Sequence, residues 1–107
     1  NNVTWHFLAQ HLISCVYCLP SNIGAMERFS LVMLIAAMKE DNNYISTPEE
    51  VLRYHFSRSK SNKYLNLLQK EGFIVIKKVD KDNNQYSVNI DLLRSFYKPL
   101  EKNKFLN

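Results

Sequence analysis

Residues 46–89 read STPEEVLRYHFSRSKSNKYLNLLQKEGFIVIKKVDKDNNQYSVN, and the fold turns on how this stretch is parsed. Thr47 is expected to cap a short helix. Pro48 suits the first helical position, where no backbone N–H is needed, and Glu50 stands three residues beyond the cap to close a capping box. Val51, Leu52, His55 and Phe56 then share one face, while Glu49, Glu50 and Arg53 look outward. Ser57 interrupts the pattern and is placed to cap a second helix. That helix runs to Glu71 and ends at Gly72, the residue best suited to the left-handed conformation past a helix C-terminus. Ser61, Tyr64, Leu65 and Leu68 make its inner stripe. Its outer face carries Arg58, Ser59, Lys60, Asn62, Lys63 and Asn66, side chains of the kind that reach phosphates and base edges.

Past Gly72 the period changes from helical to extended. Residues 73–79 are rich in β-branched side chains, 80–84 are turn formers, and 85–90 alternate around Tyr86, Val88 and Ile90, so a β-hairpin is expected. Lys77, Lys78 and Lys81, with Asn83 and Asn84, cluster at or near its tip, partly offset by Asp80 and Asp82. Tyr44 and Ile45, just upstream of the quoted stretch, can add a short extended piece beside this hairpin.

Working outward, residues 3–19 predict a helix with Trp5, Leu8, Leu12, Cys15, Val16 and Leu19 on one broad side and Phe7 and Tyr17 partly outside it. That is more apolar surface than one core face requires. Trp5, Phe7, Leu8, Leu12 and Val16 are therefore assigned to a homodimer interface, together with Phe96 and Tyr97 from the end of the chain; the alternative is that the helix only completes the monomer core. After a loop at 20–24, Met26, Phe29, Ser30, Met33, Leu34 and Ala37 recur at helical spacing. Leu31, Val32, Ile35 and Met38 widen the apolar arc until this helix is expected to be central and apolar nearly all round. Residues 41–43 form a polar turn. Beyond the hairpin, Asp91 is expected to cap a last helix carrying Leu92, Leu93, Phe96 and Tyr97, which Pro99 kinks or ends, leaving 100–107 as a charged tail.

A chain of 107 residues, 46% hydrophobic, with only 2 Gly and 3 Pro, suits a single domain. Its expected parts are an N-terminal helix (1–20), a core (25–90) and a C-terminal helix with tail (91–107). The fold class is mainly α with a small antiparallel β-hairpin. Charge is unevenly placed within the net +4: residues 1–52 hold two Lys or Arg against five Asp or Glu, a net of −3, whereas twelve against five give +7 from Arg53 onward. The positive half is the half quoted above, as a nucleic-acid partner requires, although a solvated basic surface is the plainer alternative.

No apolar run approaches the length of a bilayer span, so no membrane partner and a cytoplasmic location are expected. Leu12, Ile13, Ser14 and Cys15 look like a lipoprotein cleavage box but lack the positive start and apolar segment of a signal peptide. Because the chain opens on Asn1, trimming of an initiator or tag is expected. His6, His11, Cys15 and Cys18 could suggest a metal site, yet on one helix His6 lies off the face the other three share. Free thiols packed as small hydrophobes, with no metal and no cofactor, are the expected state, and redox or metal sensing is the alternative. There is no Gly-rich phosphate loop, nucleophile elbow or metalloprotease His pair, and the chain reads as not an enzyme. His55 is expected to be a core or turn histidine rather than a pH switch.

The run 55–74, HFSRSKSNKYLNLLQKEGFI, resembles the recognition half of bacterial winged helix-turn-helix DNA-binding proteins. In that superfamily a serine opens the recognition helix, apolar residues recur as at Leu65 and Leu68, and the helix closes on a Glu-Gly-aliphatic run; His55 departs from it, a small residue being common there. The resemblance covers 46–90 and is shared by MarR-like and staphylococcal accessory regulators, small plasmid centromere-binding proteins and the winged N-terminal domains of Gram-positive primosome proteins. It implies a winged helix-turn-helix with extra N- and C-terminal helices. The function implied is sequence-specific binding of double-stranded DNA by a homodimeric transcription regulator, associated with nucleoid or plasmid. Plasmid partition or replication initiation with the same module is the first alternative, and a winged helix used for protein contacts the second.

Overall fold

The computed structural model describes residues 2–38 and 44–99. Helix α1 (Asn2–Tyr17) passes through a loop into α2 (Ala25–Ala36). A two-residue strand, β1 (Tyr44–Ile45), precedes helices α3 (Pro48–Arg53) and α4 (Arg58–Lys70). Strands β2 (Ile74–Lys78) and β3 (Asn84–Val88) follow, and α5 (Ile90–Arg94) comes last. All strand pairs are antiparallel, in the order β1-β3-β2. Ile74 faces Val88, Lys78 faces Asn84, and Tyr44 faces Ser87. The described residues thus form an α-rich domain with a small three-stranded antiparallel sheet, the short piece at Tyr44 and Ile45 included.

The signals at the ends of α4 act as their chemistry predicts. Ser57 Oγ accepts from the Lys60 N–H at 3.2 Å. At the other end Gly72 takes φ 87°; the Phe73 N–H donates to Leu68 O at 2.9 Å and the Gly72 N–H to Gln69 O at 3.0 Å. This pair of bonds satisfies two carbonyls of the last turn and turns the chain straight into β2. At α3 only half the expected start is present. Pro48 occupies the first turn, buried, but the Thr47 side chain makes no capping hydrogen bond, so the capping box with Glu50 is not formed. The start rests on the fixed φ of proline and on Glu49 and Glu50 near the helix N-terminus.

Leu12, Cys15 and Val16 of α1, Leu31, Leu34 and Ile35 of α2, Leu52, Leu65 and Leu68 of α3 and α4, and Ile45, Ile74, Val88 and Leu93 make one continuous core. Several expectations are corrected by it. Leu12 and Val16 are 0% and 1% exposed, so they are filled by the domain's own core and are not available to a second copy. Helix α2 is not apolar-buried all round: Met26 and Phe29 are exposed, and its inner face is Ser30, Leu31, Leu34 and Ile35. Helix α1 stops at Tyr17, short of Leu19. The last helix is capped not by Asp91 but by Asn89, whose Oδ1 accepts from the Leu92 N–H at 3.1 Å while its Nδ2 donates to Gly72 O at 3.1 Å. One amide therefore starts α5 and ties it to the turn after α4, which a carboxylate, having no donor, could not do. Phe96 and Tyr97 come after α5 ends. The polar turn at 41–43 and the tail at 100–107 lie outside the described residues.

The loop between α1 and α2 is closed by a side chain the sequence did not single out. Arg28 donates through Nε to Ile23 O at 2.9 Å and through Nη2 to Leu19 O at 3.0 Å and Pro20 O at 2.7 Å.

Candidate nucleic-acid interface

Helix α4 buries Ser61, Leu65 and Leu68 and leaves Arg58, Ser59, Lys60, Asn62, Lys63 and Asn66 all exposed. Spacings of three and four residues put Ser59, Asn62, Lys63 and Asn66 on one side of it. Among the described residues no carboxylate stands within ion-pair distance of Arg58, Lys60 or Lys63. Lys63 Nζ lies 5.8 Å from the Tyr64 ring centroid, its only charge-specific contact among those residues. Arg58, Lys60 and Lys63 are thus held outward without an ion pair among the described residues.

The turn that leads into α4 is braced from within. Phe56 packs at 5.0 Å from the Tyr64 ring and 5.9 Å from Phe29, and His55 meets Phe29 edge-on at 5.2 Å. The His55 and Phe56 N–H groups both donate to Leu52 O at 3.0 Å. His55 is accordingly a turn histidine, exposed on its other side.

On the hairpin, Lys77, Lys78, Lys81 and Asn84 are exposed. Lys77 and Lys78 are successive residues of one strand and so stand on opposite faces of the sheet. Asn83 is exposed but not free. Its Nδ2 donates to both carboxylate oxygens of Asp80, at 3.0 and 2.9 Å, and the Asp82 and Asn83 backbone N–H groups donate to Asp80 Oδ1 at 2.9 and 3.0 Å. Asn83 therefore builds the tip instead of reaching from it. The same bonds, the Asn83 side chain first, hold the Asp80 carboxyl below the usual carboxylate range. Val75, Ile76 and Val79 are also exposed, which a hairpin pattern alone does not reveal.

Of the remaining residues assigned to a dimer interface, Phe7 (67%) is largely exposed and Tyr97 is exposed beside the His11 ring at 4.7 Å; Tyr17 (77%), not among them, is exposed as well. Trp5, Leu8 and Phe96 are half-buried against the core. None of the 16 residues of α1 is Asp, Glu, Lys or Arg. Tyr17 stands between two clefts of about 500 Å³, one shared with Ser14, Cys18, Tyr97 and Lys98, the other with Phe29, Val32 and Met33 of α2. Cys15 is buried with Sγ 3.7 Å from His11 Nε2, and Cys18 Sγ lies 3.6 Å from Lys98 O and 3.5 Å from Lys98 N. Burial first, then the neighbouring Cys18, pushes the Cys15 thiol up. Among the described residues no group of three or more His, Cys, Asp or Glu is arranged to hold a metal.

A carboxyl pair joins the start of α2 to the end of α4. Burial, followed by the hydrogen bond that protonated Glu71 donates to Glu27 and by the charge of Glu27, pushes the Glu71 carboxyl up, against the opposing charge of Lys70. Glu27 Oε2 is fully covered. No described helix is long and apolar enough to cross a membrane. Comparison with protein-family models, with curated proteins and with solved structures gives no match to this chain.

Proposed function

We propose that the protein is a sequence-specific double-stranded DNA-binding protein, a homodimeric and non-enzymatic transcription regulator acting at the nucleoid or on a plasmid in the cytoplasm. In this reading 46–90 form a winged helix-turn-helix: α4 lies in the major groove, and the β2–β3 hairpin is the wing along the backbone. The order α2, β1, α3, α4, β2, β3, with β1 added to the outer side of β3, supports the fold assignment. The observation that carries the function is the outer face of α4, with its cations and amides exposed and unpaired among the described residues.

The two elements divide the labour. Alanine at Lys60 or Asn62 removes a base-edge hydrogen bond and costs roughly 1–3 kcal/mol on the preferred duplex while leaving random duplex nearly unaffected. Alanines at Lys77 and Lys78 weaken both duplexes alike and flatten the slope of log affinity against log salt by about one for each phosphate no longer neutralised. Competition binding at several salt concentrations reads both. If the α4 variants keep full discrimination while folded, the groove assignment is wrong. One observation favours a second reading, a module for protein contacts: the exposed Val75, Ile76 and Val79 on the hairpin. In that case duplex binding would be absent at every salt concentration.

A further inference from the structure

We infer that Arg53 and Tyr54, at the turn between α3 and α4, form a second DNA-contacting site that takes a sugar–phosphate unit of the strand flanking the groove. The inference rests on the DNA-binding reading above and adds a site to it. Tyr54 is 87% exposed, the most exposed of the large apolar and aromatic side chains among the described residues. Neither its ring nor its hydroxyl is used within the described part of the protein. Its exposure is not that of a loose loop. The next two residues, His55 and Phe56, are clamped by Phe29 and Tyr64 and by two backbone bonds to Leu52 O, so the turn presents Tyr54 outward from a fixed base. A tyrosine so placed combines an apolar ring with an O–H donor at low ordering cost, because few side-chain torsions remain to be fixed.

Beside it, Arg53 ends α3, exposed and without an ion pair among the described residues. Arg53, Tyr54 and Glu50 line an open cleft of about 280 Å³. Two of its walls offer donors suited to a phosphate: a planar guanidinium and a phenol. The third, Glu50, carries negative charge and sets where the anion rests, at the rim between Arg53 and Tyr54 and not against Glu50. The Ser57-capped N-terminus of α4 begins four residues past Tyr54, so the site flanks whatever α4 reads. Contacts of this type position a protein on a duplex without reading sequence.

The test uses the full chain and two labelled duplexes, one selected from a random pool and one of random sequence, with binding measured at several salt concentrations. Each variant is first checked for wild-type melting. Arg53→Ala is expected to weaken both duplexes alike and to lower the salt slope by about one, more than the same change at Arg94 on α5. Tyr54→Phe should weaken both by about two- to tenfold with the slope unchanged, since a neutral hydrogen bond is removed. Glu50→Gln should tighten both. Wild-type affinity in Tyr54→Phe, a loss confined to the selected duplex, or an Arg53→Ala effect no larger than that of Arg94→Ala overturns the inference while leaving the groove assignment standing. Failure of the wild-type protein to bind either duplex overturns the underlying reading instead.

Discussion

At Gly72 a single torsion decides how helix becomes strand. With φ at 87° and the position of an added Cβ 3.4 Å from Leu92 Cδ2, any side chain meets backbone strain first and a flexible methyl second. Gly72→Ala is expected to lower stability by about 1–2 kcal/mol, read by denaturant unfolding. A smaller loss would mean that the turn relaxes. One residue earlier, the raised Glu71 carboxyl gives a pH signature. In the unfolded chain it ionises in the ordinary range, and in the folded protein at higher pH. Between the two the folded state holds the extra proton, and stability falls as pH rises through that window. Melting temperatures from about pH 4 to pH 7 should therefore fall less with pH in Glu71→Gln than in wild type, with the variant the more stable at neutral pH. A steeper fall in the variant would contradict the pairing with Glu27.

At the scale of elements, what the sequence makes legible follows how local the cause is. Ser57, Gly72 and the change of period after it act within a turn, and α4 and the hairpin appear where they are expected. Exposure of the six α4 side chains was equally legible, because a helix of known phase with one apolar stripe has only one outer face. Caps that depend on distant partners were not. Asn89 wins over Asp91 because its amide also reaches Gly72 O, 17 residues away, and the Asn83 side chain is engaged by the Asp80 carboxylate that shapes the hairpin tip. Helix α1 shows the limit of periodicity. Its apolar residues go partly inward and partly outward, and only packing against α2 and α5 separates Leu12 and Val16 from Phe7 and Tyr17. With the inner residues consumed by the core, the proposed dimer contact falls to Phe7, Tyr17 and Tyr97. Phe7→Arg combined with Tyr17→Arg is expected to convert a dimer into a folded monomer in sedimentation at about 10 μM. A wild-type monomer at that concentration would remove the dimer from the proposal.

For the whole molecule, two helices differ sharply in charge: α1 has exposed rings and no Asp, Glu, Lys or Arg, and α4 carries Arg58, Lys60 and Lys63 without an ion pair among the described residues. In the proposed dimer two copies meet through α1, whose 16 residues include no Asp, Glu, Lys or Arg. How far apart the two α4 helices would stand then depends on how rigidly α1 is fixed to the rest, which returns to Arg28. Its guanidinium holds three carbonyls of the connection between α1 and α2 at once, and an ammonium, being a point donor on a flexible stem, does not reproduce that fork. In the proposed dimer the connection would act as the spacer of a caliper. A wild-type dimer should reject a duplex whose half-sites are moved apart by one or two base pairs, whereas Arg28→Lys should bind the altered spacings more nearly alike. In a panel of spaced duplexes, equal tolerance in both proteins would show that the gap is set elsewhere. Unequal tolerance would mean that, in the proposed complex, the spacing along the DNA is set by one arginine far in sequence from the residues proposed to touch it.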